Sequence, residues 1–574
     1  MRANTVSLLL ALAVAGAPLA AQQATFSGSV EVRVVNVDVV VLDRDGNPVT
    51  GLGRDDFELL EDGKPVPISN FLAYQEPAPG TSAAATPETP GAAPPAAQQE
   101  PEIEVAPAAT WVVYLDVARL EPGPRADVLR QLRDFLGRAR RPGDRFLIAY
   151  FDGNSLQLLS PLTTQPATAD AAIEKLQKRR GNLSRLESER AFLKESIANV
   201  NLSENGAAYE ADQILDDINH LAEQEIIASH FEVSAARDLL SILSGVEGRV
   251  AILYAGAGIE TRPAESLYEL WKNKFAQLLG RSEVERQAEQ RIDPRWTRML
   301  DEYNDLLVAA NGGRFTLYTI QAGRNRGPDV SAETPGELGY ENPVGGDASG
   351  LREGSSLAAL AAETGGRTFV ASPKLGERLQ AVRRDLVTYY SLGYHPEGEK
   401  PGRKRHIDVR VHRPGLRVLH RAEVSDRSWK DQATDATVTA LLADSTPENP
   451  FGVSIATPAP DPKQSSRGRA RLQPVEVLVP LHGITLLPGD GSHKGELLFE
   501  FALRDSEGGF RRLESRTLPL QIPDADLKKA LGEHVSYKIQ LALTPGKYTF
   551  ATTVLDQLGG GRSTAIAPLD VKKR

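Results

Sequence analysis

Trp111-Val112-Val113-Tyr114-Leu115-Asp116-Val117-Ala118-Arg119-Leu120 is the stretch whose reading decides the fold. A run of β-formers ends in one acidic residue, Asp116. Glu121-Pro122-Gly123-Pro124 follows, then Val128, Leu129, Leu132, Phe135 and Leu136 at helical spacing. A strand that is apolar on both faces needs helices covering both faces. Strand, loop and crossover helix in this order therefore read as one unit of a parallel sheet. Ligands of open α/β sheets bind beyond the carboxyl ends of the strands. Asp116 stands at such an end.

Outward from this unit the same grammar repeats. Asp144 precedes a strand from Arg145 to Phe151. Gln157-Leu158-Leu159 is a short strand. Val250 to Tyr254 and Arg314 to Ile320 are buried strands, and Thr368-Phe369-Val370 is an edge strand. Leu375, Leu379, Val382 and Leu386 mark a closing helix.

Five phrases in this order carry a resemblance: Val113-Tyr114-Leu115-Asp116, Pro142-Gly143-Asp144-Arg145-Phe146, Gly248-Arg249-Val250-Ala251-Ile252-Leu253-Tyr254, Thr364-Gly365-Gly366-Arg367 and Tyr389-Tyr390-Ser391-Leu392-Gly393-Tyr394. Together they resemble a von Willebrand factor type A (VWA) domain, and more narrowly the "VWFA-related" domain of secreted bacterial proteins, over residues 110–424. The phrase Gly51 to Lys64 also matches that family. The resemblance implies a Rossmann-like α/β fold, a mostly parallel sheet with an antiparallel edge at 157–159, and recognition of a protein partner through the top of the sheet.

Many such domains hold a divalent cation with D-x-S-x-S, a distant Thr and a second Asp. Here the first motif reads Asp116-Val117-Ala118-Arg119-Leu120, so Ala118 and Leu120 replace both hydroxyls. Ala257, within Gly256-Ala257-Gly258, stands where the second Asp would be, and Asn182 best fits the Thr position. Mg²⁺ requires near-octahedral oxygen ligation, so the site reads as degenerate: no metal and no cofactor is expected. Asp116, Arg119, Asp152 and Glu260 are the candidate partner-binding face. The rival reading is a cation-dependent adhesin that rebuilds its site from Asp116, Asp152 and Glu260.

The remaining chain surrounds this unit. At 574 residues it exceeds a single core. Arg2, the apolar run Val6 to Ala15 and the small residues Ala17 to Ala21 read as a secretory signal peptide over 1–22. That run falls short of the about 20 residues a span needs, so the mature chain is expected without a transmembrane segment, secreted or periplasmic. Residues 23–75 are a small β unit with turns at Asp45-Gly46 and Asp62-Gly63, too small to stand alone. Strands at 388–424 are expected to complete it. Residues 76–109, rich in Pro and Ala, read as a flexible linker. The sheet domain spans 110–387 with helical insertions at 168–245 and 263–310. In the first of these, Leu186, Leu193 and Val200 recur every seven residues and Arg190 interrupts them. Gln321 to Gly354 is a long Gly-rich loop. Residues 432–574, with strands Val475 to Val479, Glu496 to Leu503 and Tyr537 to Leu543, read as an immunoglobulin-like β-sandwich.

The net charge of -10 argues against nucleic acid as a partner. The basic run Arg403 to Arg421 reads as the charged face of a sheet. There is no cysteine, which excludes disulfides and thiolate chemistry. No G-x-S-x-G, P-loop, H-E-x-x-H or G-x-G-x-x-G occurs. His406 and His412 share strand parity, with His420 nearby, and read as surface polarity rather than a metal pair. The expectation is a non-enzymatic binding or scaffolding protein with an unknown protein partner. A secreted hydrolase with an unrecognised site is the second alternative.

Overall fold

The computed structural model describes residues 34–75, 103–179, 181, 184–203, 206–246, 248–280, 293–322, 353–396, 403–425, 428–442, 446–460, 470–489 and 491–572. The signal-peptide reading, most of the linker, Asn182 and the loop 323–352 lie outside these residues.

The chain opens with β1 (Val35–Leu42), β2 (Phe57–Glu61), β3 (Lys64–Val66) and β4 (Asn70–Gln75). Next comes β5 (Ile103–Val105), parallel to β4. This corrects the linker boundary: Ala106 and Ala109 are buried, so the chain is already packed before 110. The Pro/Ala-rich average over 76–109 concealed the short β-branched segment at its end.

β6 (Thr110–Asp116), β7 (Arg145–Phe151), β8 (Leu156–Leu158), β9 (Val250–Gly256), β10 (Phe315–Gln321) and β11 (Thr368–Val370) form one sheet in the order β11-β10-β9-β6-β7-β8. All pairs are parallel except β7 with β8. Every residue of β6 and β9 is buried. Alternation divides β6 between two cores. Trp111, Val113 and Leu115 pack with α1 (Pro122–Ala139), α2 (Pro166–Gln177) and the helices after β11. Val112 and Tyr114 pack on the other side, with Leu239, Leu240, Met299, Tyr303 and Leu357. Full burial of each large apolar side chain contributes about 1.5–3 kcal/mol. Two such layers explain why an uninterrupted apolar strand is stable here.

The helical region divides differently from the expected insertion at 168–245. Residues 166–177 are α2, an ordinary crossover helix, because Ala172, Ile173 and Leu176 face the sheet. The outgrowth is α3 (Ser184–Asn199), the first part of the 37-residue α4 (Ala207–Leu243), and α5 (Glu265–Leu279). Leu193, Ile197, Ile214, Ile218, Trp271 and Phe275 give it a core of its own. The end of α4 returns to the sheet through Leu239, Leu240 and Leu243.

β12 (Tyr389–Tyr394) lies between β1 and β4, and β13 (Lys404–Val411) pairs with β2. β14 (Arg417–Leu419) extends the first sheet on β1, and β15 (Glu423–Ser425) the second on β13. Val37, Val39, Phe57, Leu59, Leu392, Ile407 and Val409 fill the space between these sheets.

The C-terminal region begins with a helix, Trp429–Leu442, that the sequence reading omitted. Its stripe is weak because Asp435, Thr437 and two alanines share the buried face with Val438, Leu441 and Leu442. Two sheets follow: one of the strands Ser454–Ala456, Arg471–Pro480 and His534–Leu543, the other built on Leu487–Gly489, Ser492–Asp505, Gly546–Asp556 and Arg562–Val571. They enclose Val475, Val477, Phe499, Phe501 and Phe550. The unit is joined to the parallel sheet: Ala502, Phe510 and Ala551 share its core, and the Leu158 N–H donates to the Gly508 carbonyl at 3.0 Å. No helix among the described residues is long and apolar enough to cross a membrane.

Candidate functional site

Asp116 ends β6 beside the end of β9; a Cβ built on Gly256 would lie 3.4 Å from the Asp116 Cβ. Its side chain is 0% exposed. Oδ1 accepts the Arg119 backbone N–H at 3.2 Å, while buried Oδ2 has no hydrogen-bond partner among the described residues. Burial pushes this carboxyl up to about 6, and the Arg119 charge offsets only part of the shift.

The positions that would supply further oxygens are hydrocarbon. Ala118 and Leu120 are buried, and half-buried Ala257 packs against the apolar core. Gly181, one residue before Asn182, is pressed onto the motif: a Cβ there would lie 2.6 Å from the carbonyl oxygens of Val117 and Ala118. These residues do not fit a divalent cation. One carboxylate is left without the oxygen partners that octahedral ligation demands, and a positive charge stands in its own loop.

That positive charge is Arg119. Its Nε lies 3.0 Å from Glu232 Oε2 and its Nη1 3.4 Å from Glu260 Oε2; Nη2 donates to Ser229 Oγ at 2.8 Å. Glu260 also receives Arg190 Nη2 at 2.9 Å on its other oxygen. Arg190 donates from Nε (3.0 Å) and Nη2 (2.6 Å) to Glu225 Oε1. Glu225 Oε2 accepts the Ala264 N–H at 3.0 Å, and Glu232 Oε1 accepts the Tyr254 hydroxyl at 3.1 Å. Two guanidinium groups thus tie three glutamates into a covered network beyond the strand ends. Arg190 is 5% exposed and Glu232 0%. Burial pushes the Glu225 carboxyl up to about 7; Glu260 adds to the shift and Arg190 opposes it. Burial pushes Arg190 down, but Glu260 and Glu225 outweigh it and hold it above its ordinary value.

The four candidate face residues therefore separate. Arg119 and Glu260 are paired, and Asp116 joins them through the Arg119 backbone. Asp152 is used in its own turn, where Oδ1 accepts the N–H groups of Asn154 at 2.8 Å and Ser155 at 2.9 Å. Asp116 and Glu260 are buried, and the Arg119 side chain is 11% exposed, so most of this set is covered rather than presented. His406 and His412 are exposed, and the His420 Nδ1 meets the Arg421 carbonyl at 2.9 Å. Among the described residues no group of three or more His, Cys, Asp or Glu is arranged to hold a metal ion.

Sequence reading missed Arg190, Glu225, Ser229, Glu232 and Tyr254 as parts of one site. Two signals were present. Arg190 breaks an apolar repeat, which marks a charge facing a core. Glu225, Ser229 and Glu232 fall at i, i+4 and i+7, on one face of α4.

No protein-family model matches the chain, and no curated protein matches it. Among solved structures it is similar to an aerotolerance-related membrane protein from Bacteroides fragilis NCTC 9343, crystallised with multiple mutations to serines. The identity is 10%, 49% of this chain and 98% of that chain are covered, and the TM-score is 0.21.

Proposed function

We propose that the chain is an exported, non-enzymatic binding or scaffolding protein built on a Rossmann-like VWA domain, with an immunoglobulin-like sandwich at 432–574. Residues 1–22 are removed on export, leaving a secreted or periplasmic protein. Its adhesion site is degenerate. The observation that carries this reading is the Arg119–Glu232–Glu260–Arg190–Glu225 network. It commits the Arg119 guanidinium, three residues after Asp116, to Glu232 and Glu260, and it ties the helical outgrowth to the loops that follow β6 and β9. The outgrowth and the rim around Asp152 are then the surfaces left to meet a protein partner. Phe192 and Tyr209 support this, being large side chains 65% and 67% exposed on that outgrowth.

Photo-cross-linking tests the reading. A photoreactive residue at Phe192 or Asn154 is expected to capture one discrete envelope protein, with equal yield in EDTA and in Mg²⁺. The same residue at Lys538, in the C-terminal sandwich, is expected to capture none. Capture that needs Mg²⁺ would favour a cation-dependent adhesin, and equal capture from all three positions would remove the assigned surface.

A further inference from the structure

At the end of the parallel sheet opposite Asp116, the first residues of β9 and β10 meet β1, β12 and β14. The seam holds a cleft of about 170 Å³. Arg249, Arg314, Arg421 and His420 line it, against a single carboxylate, Asp38. In a chain of net charge -10 this is a local reversal of sign.

Two of the arginines are fixed without a ligand. Arg249 Nη1 donates to the Asp385 carbonyl at 3.0 Å, Nε lies 3.5 Å from Asp38, and the guanidinium carbon sits 3.9 Å over the Tyr389 ring. Arg421 Nη2 donates to the Asn36 carbonyl. Arg314 is exposed and has no hydrogen-bond or ion-pair partner among the described residues. Burial lowers the pKa of Arg421; Asp38 opposes that shift, and the charge of Arg314 adds to it.

We propose that this cleft is an oxyanion site for a small ligand carrying a phosphate group or a pair of carboxylates. Guanidinium forks match the geometry of both groups. Their prior fixation by main-chain carbonyls and an aromatic face reduces the entropy lost on binding. An anion bound by Arg314 and Arg421 would neutralise two like charges that line the same cleft. The cleft is smaller than the roughly 300–1,000 Å³ of pockets for drug-sized ligands, so it suits a phosphate monoester or short dicarboxylate rather than a folded peptide. Its walls come from both the sheet domain and the N-terminal β unit, so the ligand would also clamp them together.

The test is calorimetric titration of the full chain with sodium phosphate and, separately, malonate, at constant ionic strength set by chloride, with thermal unfolding in parallel. The parent is expected to bind one or both saturably and to melt higher. Arg314→Gln removes an exposed side chain and should fold normally. It and Arg421→Gln are each expected to weaken binding by about tenfold, the loss of one charged hydrogen bond. Arg516→Gln, in the C-terminal sandwich, is the control and should bind as the parent does. Saturation by phosphate alone assigns a phosphoryl ligand, and saturation by malonate alone assigns a dicarboxylate. Saturation by neither, or equal binding by parent, Arg314→Gln and Arg421→Gln, overturns the proposal.

Discussion

Arg190→Ala is expected to destabilise the protein by roughly 3–5 kcal/mol, the loss typical when one partner of a buried ion pair is removed. Arg190 bonds both oxygens of Glu225 at 2.6 Å and reaches Glu260 at 2.9 Å. Its loss leaves two covered carboxylates facing each other without their shared counter-charge. Only protonation or local opening of α3, α4 and α5 relieves that. Adding Glu225→Gln to Arg190→Ala removes one stranded charge and is expected to recover part of the loss. That non-additivity is the signature of a direct pair. Urea unfolding checks both. A single-variant loss below about 1 kcal/mol, the range of exposed pairs, would mean the network is solvated.

The second large effect is a pH dependence. Asp116 titrates at about 6 in the folded chain, against an ordinary value of 3.8, chiefly because it is buried. The folded state therefore holds this proton more tightly than the unfolded state does. The contribution of Asp116 to stability is fully present below about pH 4, falls as pH rises through the window, and is gone above about pH 6. Asp116→Asn does not titrate. From below about pH 4 to above about pH 6.5, the stability of Asp116→Asn relative to the parent should thus rise by roughly 3 kcal/mol. Urea midpoints of the two proteins at matched pH values measure it. A stability difference that stays constant with pH would place Asp116 in water.

The sheet was legible because its strands obey local rules. Trp111–Leu115 and Val250–Ala255 are runs of large or β-branched apolar and aromatic residues with few polar groups, and a sheet covered on both faces makes that favourable. The short edge strand was read one residue late, at 157–159 instead of 156–158. The helix Trp429–Leu442 escaped because its buried face mixes Asp435, Thr437 and two alanines with its large apolar residues Val438, Leu441 and Leu442, which cluster at one end. The site was half legible. The D-x-S-x-S comparison located Asp116 and the hydrocarbon at Ala118 and Leu120. It said nothing of Arg190 or Glu225, which reach the same place through helices more than seventy residues away in the chain. A glutamate on a long helix reads as solvent-facing unless its partner is known. Here the partner was visible only as an interruption in the Leu186–Leu193–Val200 repeat.

Titration of Mg²⁺ and of Mn²⁺ into the full chain, followed by heat and by melting temperature, addresses the tip of β6 directly. With Arg119 paired to Glu232 and Glu260 there, neither ion should bind saturably at millimolar concentration or shift the melt, and EDTA should change nothing. Saturable binding in the millimolar range or tighter, abolished by Asp116→Ala, would show a working cation site and contradict the proposed degenerate one.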